Sequence, residues 1–123
     1  MADRELRALR GATTAPSDDS DAIVGATEKL LGEMIARNGI EVVDLVSVIF
    51  TSTKDLTAEF PAAAARRLGI SSVPLLCAQE IEVPGSVPRC IRVLMHFYTN
   101  RSSEELRHVY RDGAEQLRTD LAE

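Results

Sequence analysis

The sequence predicts an α+β domain, a mostly antiparallel mixed sheet with helices packed on one side. Three observations carry that expectation. A long amphipathic helix stands early in the chain, over about residues 18–38, with apolar residues at 3.6-residue spacing. Two segments, LVSVIF at 45–50 and CIRVLMHFYT at 90–99, are strand-like and apolar at nearly every position, the pattern of strands buried on both faces. The elements follow the order strand, long helix, strand, helix, strand, strand, short helix and tail, which suits helices layered on a sheet.

Taken in order, ELRALR at 5–10 reads as the first strand, and Gly11-Ala12-Thr13-Thr14 is expected to end it. APSDDS at 15–20 is a loop rich in turn and cap residues. On the long helix Ala22, Ile23, Ala26, Leu30, Leu31, Met34 and Ile35 share one stripe. Ser17 or Asp18 is expected to cap its start, and Gly39 suits its stop. Val42-Val43-Asp44 reads as a tight turn before the LVSVIF strand. Residues 61–69 form a second helix, with Pro61 at its first position and Gly69 at its stop. A strand over 73–81 is broken near its start by Pro74, a Pro/Gly loop covers 82–89, and 90–99 is a long strand. Ser102-Ser103-Glu104-Glu105 is a capping box that opens a short helix toward His108. Val109-Tyr110 is a short strand, followed by a turn of helix. With no internal repeat, linker or low-complexity segment, residues 1–123 read as one domain.

Composition narrows the class of function. The chain carries a net charge of -5 and only 4% aromatic residues, with no Trp. Neither nucleic acid nor an anionic membrane is an expected partner, because base stacking and phosphate neutralisation need aromatic and basic residues. Cys77 and Cys90 are not a C-x-x-C pair, and both lie in apolar runs. They are expected to be two buried, reduced thiols. No signal-peptide pattern or bilayer-length apolar run occurs, so the reducing cytoplasm is the expected location. Both long strands are more apolar than the few helices of one small domain can cover, which points to burial against further copies of the chain.

The polar residues within these strands raise the functional question. On a regular strand Cys90, Arg92, Leu94, His96 and Tyr98 share one face. A guanidinium there needs an anionic partner. That partner is either a structural carboxylate, Glu80 or Glu82, or a ligand carboxylate held by the guanidinium fork. Arg10 closes the first strand, Arg66 and Arg67 ride the second helix, and Arg118 lies in the tail. Arg67 is expected to be solvated, but several Arg at the ends of apolar elements can converge on one anion site. His96 and His108 are too isolated for a metal site. Cys77 has no accompanying His base, and no nucleophile elbow, P-loop or dinucleotide fingerprint occurs. The residue pattern alone therefore reaches a small α+β oligomer with an Arg-rich anion site, and no reaction.

An ordered set of segments goes further. These are RGATT at 10–14, DLTAEFPAAAARRLG at 55–69, VPLLCAQEI at 73–81, CIRVLM at 90–95 and LRHVYRDGAEQLRTDL at 106–121. Together they resemble the small trimeric α/β class of chorismate mutase, the AroH class, over nearly the whole chain. The resemblance implies a chorismate-mutase-like (ferredoxin-like) fold assembling as a trimeric pseudo-barrel. It also implies the [3,3] rearrangement of chorismate to prephenate, on the route to Phe and Tyr, with no cofactor, metal or covalent intermediate. By the same resemblance Arg92 stabilises the ether oxygen, Glu80 accepts from the substrate hydroxyl, Arg10 binds substrate oxygens, and Cys77 is the thiol beside the Glu. Tyr110 contacts a substrate carboxylate, Phe60 and Arg66 are pocket residues, and Leu117 and Arg118 belong to a tail that closes over the site. Leu76, also expected at the substrate, stands where the family often has Thr. Ala63 stands where Lys can occur, and Thr119 where Pro often does. The homotrimer is expected to hold its sites at subunit interfaces.

Strand parity adds its own expectation. Cys77 and Glu80 are three apart and point to opposite faces of a regular strand. They line one pocket only if the strand bulges, or if sites at subunit interfaces draw on both faces. Two rival readings are a trimeric imine/enamine deaminase and a non-catalytic module binding a small dicarboxylate. The C-x-Q-E run and RHVY argue against the first, and the complete set of polar positions argues against the second.

Overall fold

A computed structural model describes residues 4–117. Its five strands are β1 (Glu5–Thr14), β2 (Leu45–Ser52), β3 (Leu75–Gln79), β4 (Cys90–Thr99) and β5 (Val109–Tyr110). The two α-helices are α1 (Ser20–Arg37) and α2 (Ala63–Arg67). The strands form one sheet in the order β3-β2-β4-β1-β5. β4 is antiparallel to both β1 and β2, while the outer pairs β2–β3 and β1–β5 are parallel. The sheet is thus mixed and mostly antiparallel, with its antiparallel pairs at the centre.

The expected stop at Gly11-Ala12-Thr13-Thr14 is corrected. β1 runs through all four residues and pairs with β4 from Glu5↔Thr99 to Thr14↔Cys90. Gly11 is there for clearance, since a Cβ at this position would lie 2.5 Å from Met34 Sδ and 3.2 Å from Leu30 Cδ1 of α1. Gly11→Ala is expected to destabilise the fold by about 1–3 kcal/mol through overpacking, read as a lowered Tm and an earlier urea midpoint.

α1 begins two residues later than expected. Asp19, and neither Ser17 nor Asp18, is its N-cap and accepts from the Ala22 N–H at 2.9 Å. Asp18 instead accepts from the Thr57 N–H, the Thr57 hydroxyl and the Ala58 N–H. Those bonds, led by the Thr57 N–H, hold its carboxyl below the usual range. The helix buries Ile23, Val24, Thr27, Leu30, Leu31 and Met34. Val24 and Thr27 thus join the stripe, while Ala22, Ala26 and Ile35 are only partly buried. Gly39 ends it at φ +61, and Gly69 stops α2 at φ +77. Pro61 lies before the N-cap of α2, which is Ala62. Val42–Asp44 and Ser103–Glu105 are single 3₁₀ turns, so the capping box at Ser102 opens one turn and not a helix reaching His108. β3 is shorter than expected, because Pro74 precedes it and the chain leaves the sheet once the Glu80 N–H has bonded to Ser52 O.

Both helices lie on one face of the sheet. Leu9, Val48, Phe50, Val93, Met95 and Phe97 from that face form the core with α1 and α2. The other face carries Leu6 at 50% exposure, Leu76 at 61% and Tyr98 at 48%, with Ile49 and Leu94 half-buried among them. In one chain, then, the helices cover a single face of the central strands. Val46, at 39% exposure, sits where the β2–β4 register shifts between Leu45 and Ser47. No helix of the described residues is long and apolar enough to cross a membrane.

Candidate active site

The uncovered face organises the polar residues. The strand registers Thr51↔Ala78, Thr51↔Arg92, Ala12↔Arg92 and Ala12↔Tyr110 draw one row across all five strands. Arg92 is at the centre of that row and Tyr110 at its end. Arg10 stands one step along the same face, opposite Leu94, which puts it diagonal to Arg92 at about 7–8 Å. It is exposed. Its backbone N–H donates to His108 Nδ1 at 2.9 Å, tying the approach to β5 against β1.

Glu80, just beyond β3, falls on the same face. Its Oε1 lies 3.3 Å from Arg92 Nε, and its Oε2 accepts from the Thr51 hydroxyl. Glu82, the other structural partner considered for Arg92, pairs with Lys54 at 2.6 Å. The Arg92 side chain is 46% exposed and that of Glu80 21%. Arg92 is therefore an open guanidinium, engaged at Nε by Glu80 and by no other carboxylate among the described residues. Beside the pair is a cavity of about 240 Å³ lined by Glu80, Arg92, Cys90, Val87, Val83 and Thr53 among others. Cys90 is buried, and burial pushes its thiol pKa up against the opposing pull of Arg92.

Tyr110, Ala12, Cys90 and Ala114 form a small buried cluster against which Val87 and Leu117 pack. Leu117 ends the 3₁₀ turn Asp112–Leu117. That turn and the 82–89 loop thus wall one end of the uncovered face. Arg118 and Thr119 lie outside the described residues.

Other expected site residues fall elsewhere. Cys77 registers with Phe50, which puts it on the helix-covered face, and the β2–β3 ladder is regular at this point. It is half-buried rather than buried, because β3 is an edge strand. Cys77 lines a second cavity of about 350 Å³ together with Phe60, Pro61, Thr57 and Ser52. Phe60 is 70% exposed. Arg66, on α2, is exposed and makes no ion pair with the described residues; Arg67 is exposed, as expected, and lies 3.6 Å from Glu28. Leu76 stands on the uncovered face next to Ile49. His96 is half-buried and hydrogen-bonded to Ser47 at 3.1 Å.

Arg92, Glu80, Arg10 and Tyr110 thus share the uncovered face, with Leu117 packed at its end. Cys77 and Phe60 line the cavity at the edge of β3, and Arg66 stands exposed on α2. Thr51 escaped the sequence reading. A lone Thr in an apolar strand carries no signal until register places its hydroxyl on Glu80.

The comparisons with known proteins agree on one family. The family model described as chorismate mutase type I matches residues 6–121. The chain is 50% identical over 117 residues to chorismate mutase AroH of Thermus thermophilus, covering 94% of this chain and 96% of that one. It is 40% identical over 118 residues to chorismate mutase AroH of Bacillus subtilis, covering 95% and 93%. A solved chorismate mutase from Clostridium thermocellum superposes with a TM-score of 0.88 at 51% identity, covering 89% of this chain and 98% of that one.

Proposed function

The chain belongs to the type I chorismate mutase family and isomerises chorismate to prephenate; from that premise we propose that Arg92 and Glu80 drive the rearrangement in sites shared between the subunits of a homotrimer. The reaction is unimolecular. The ether C–O bond breaks as a C–C bond forms, and no proton or co-reactant is exchanged. What a protein can supply is orientation of the compact substrate conformer and stabilisation of the charge that develops.

Negative charge builds on the ether oxygen as its bond to the ring breaks. Arg92 meets that charge with a guanidinium already oriented by Glu80, so little reorganisation is needed at the moment of reaction. Glu80, held by Thr51 on one oxygen, accepts from the ring hydroxyl. Arg10 binds a substrate carboxylate from the same face, and Tyr110 adds a polar contact at the end of the row. Cys77, Phe60 and Arg66 close the substrate from the other side, and Leu76 contributes apolar contact.

The observation that carries this reading is the split across the edge strand. Cys77 lies on the helix-covered side of a ladder that is regular from Leu75 to Gln79, and Glu80, just past its end, turns its carboxylate to Arg92 and Thr51 on the other side. One substrate therefore meets both only where the Arg92 face of one subunit abuts the β3 edge of the next. The exposed Leu6, Leu76 and Tyr98 on the uncovered face supply the apolar surface for such an abutment. Cyclic repetition of this heterologous contact closes a ring, here a trimeric pseudo-barrel. A cytoplasmic location accords with two free thiols, and the product leads toward Phe and Tyr. The test is direct. Purified protein is incubated with chorismate while its loss and the appearance of prephenate are followed. Catalysed turnover is expected, and a rate equal to the spontaneous one would defeat the enzyme reading.

A further inference from the structure

The segment GATT at 11–14 has two residues whose chemistry the mechanism does not use. Gly11 clears α1, and Ala12 lies in the row that carries Arg92 and Tyr110. Thr13 and Thr14 remain. Thr13 is fully buried, and its hydroxyl donates to Asp112 Oδ2 at 3.1 Å. The Thr14 hydroxyl accepts from the Gly113 N–H, also at 3.1 Å.

Asp112 itself adopts φ +53, a region that Asp and Asn tolerate better than most residues. This reversal turns the chain from β5 into the 3₁₀ turn that ends at Leu117. Next to it, Gly113 approaches Thr14 so closely that a Cβ would meet Thr14 Cγ2 at 3.0 Å. The junction is held elsewhere too. The Arg111 N–H donates to Ala12 O at 2.9 Å, and the Arg111 guanidinium pairs with Glu33 of α1. Beyond the junction, Ala114 is buried and Leu117 packs on the Ala12–Cys90–Tyr110 cluster beside the Arg92 cavity.

We infer that Thr13, Thr14 and Asp112 are positioning residues. They form a latch that fixes the 3₁₀ turn as a wall of the Arg92 half-site and thereby sets affinity for the substrate. The inference rests on the proposed chorismate site. The latch touches no reacting atom. A wall that contacts substrate and transition state alike contributes uniform binding, so loosening it raises KM and leaves kcat nearly unchanged.

The test uses Thr13→Val, which keeps shape and removes the hydroxyl, and Asp112→Ala, which removes both the acceptor and the tolerance for positive φ. Each is expected to lower kcat/KM for chorismate by roughly 10- to 100-fold, carried by KM. Asp112→Asn keeps an acceptor oxygen and the backbone tolerance, and is expected to restore most of the loss. A merely structural role would lower Tm and the active fraction while KM stayed unchanged. That outcome, or wild-type KM in folded Thr13→Val and Asp112→Ala, would overturn the inference. A second readout needs no substrate. The Ala114 amide, bonded to Arg111 O at 3.0 Å, is expected to exchange with solvent faster in Thr13→Val than in the wild type. If the wild type failed to turn over chorismate, the functional reading would fall. The latch would then stand or fall on that exchange rate alone, and unchanged exchange would overturn it.

Discussion

Arg92→Ala lowers kcat by roughly two to three orders of magnitude or more, the scale of about 3–4 kcal/mol for removing a donor aimed at developing charge. The fold persists, because the side chain lies on the uncovered face and is 46% exposed rather than in the core. Glu80 keeps its bond from Thr51, so its position survives the loss of the guanidinium. Replacement of Arg92 by citrulline, which keeps the planar shape and removes the charge, is also severe. That comparison separates the electrostatic assignment from a steric one. Single-turnover kinetics with circular dichroism on the same samples provides the check. Near-normal kcat in folded Arg92→Ala would show that the charge at the ether oxygen comes from elsewhere.

A comparable effect, of opposite sign, comes from mixing two inactive variants. Arg92→Ala disables the half-site on the uncovered face. Arg66→Glu, at an exposed helix position, is expected to set a carboxylate against the dianionic substrate in the other half of the proposed shared site. Each variant alone is expected to be nearly inactive. When the two are unfolded together and refolded as mixed rings, sites with two intact halves form again. Random mixing restores about a quarter of the wild-type sites, since each intact half is contributed half the time. Activity that stayed at the level of the parents would show that each site lies within one chain, and sedimentation of the mixture reports the ring size directly.

Much of the fold was legible because periodicity reports local geometry. The 3.6-residue stripe marked α1, the apolar run at 90–99 marked β4 to the residue, and Gly39 and Gly69 marked helix stops that take positive φ. The misplaced boundaries share one cause. Gly11 and Thr13-Thr14 look like strand breakers, yet β4 supplies a full ladder and α1 requires the missing side chain at Gly11. Asp18 looks like a cap, yet the loop at Thr57 claims its carboxylate. In each case a partner distant in sequence outweighed the local preference.

The candidate site divides the same way. A charge in an apolar strand is conspicuous by its cost, so the residue pattern pointed to Arg92 and a carboxylate partner, while Arg10 and Tyr110 took their roles from the ordered resemblance. Parity alone predicted that Cys77 and Glu80 face apart, since side chains alternate on any strand. Only the tertiary structure decided that β3 is a regular edge strand, that Glu80 and not Glu82 partners Arg92 while Thr51 holds it, and that Thr13 meets Asp112 just past β5. The physical reason is the range of the interactions. Propensity and alternation act between neighbours in sequence. Register, clearance and hydrogen-bond pairing between residues ninety-nine positions apart exist only once the chain has closed on itself.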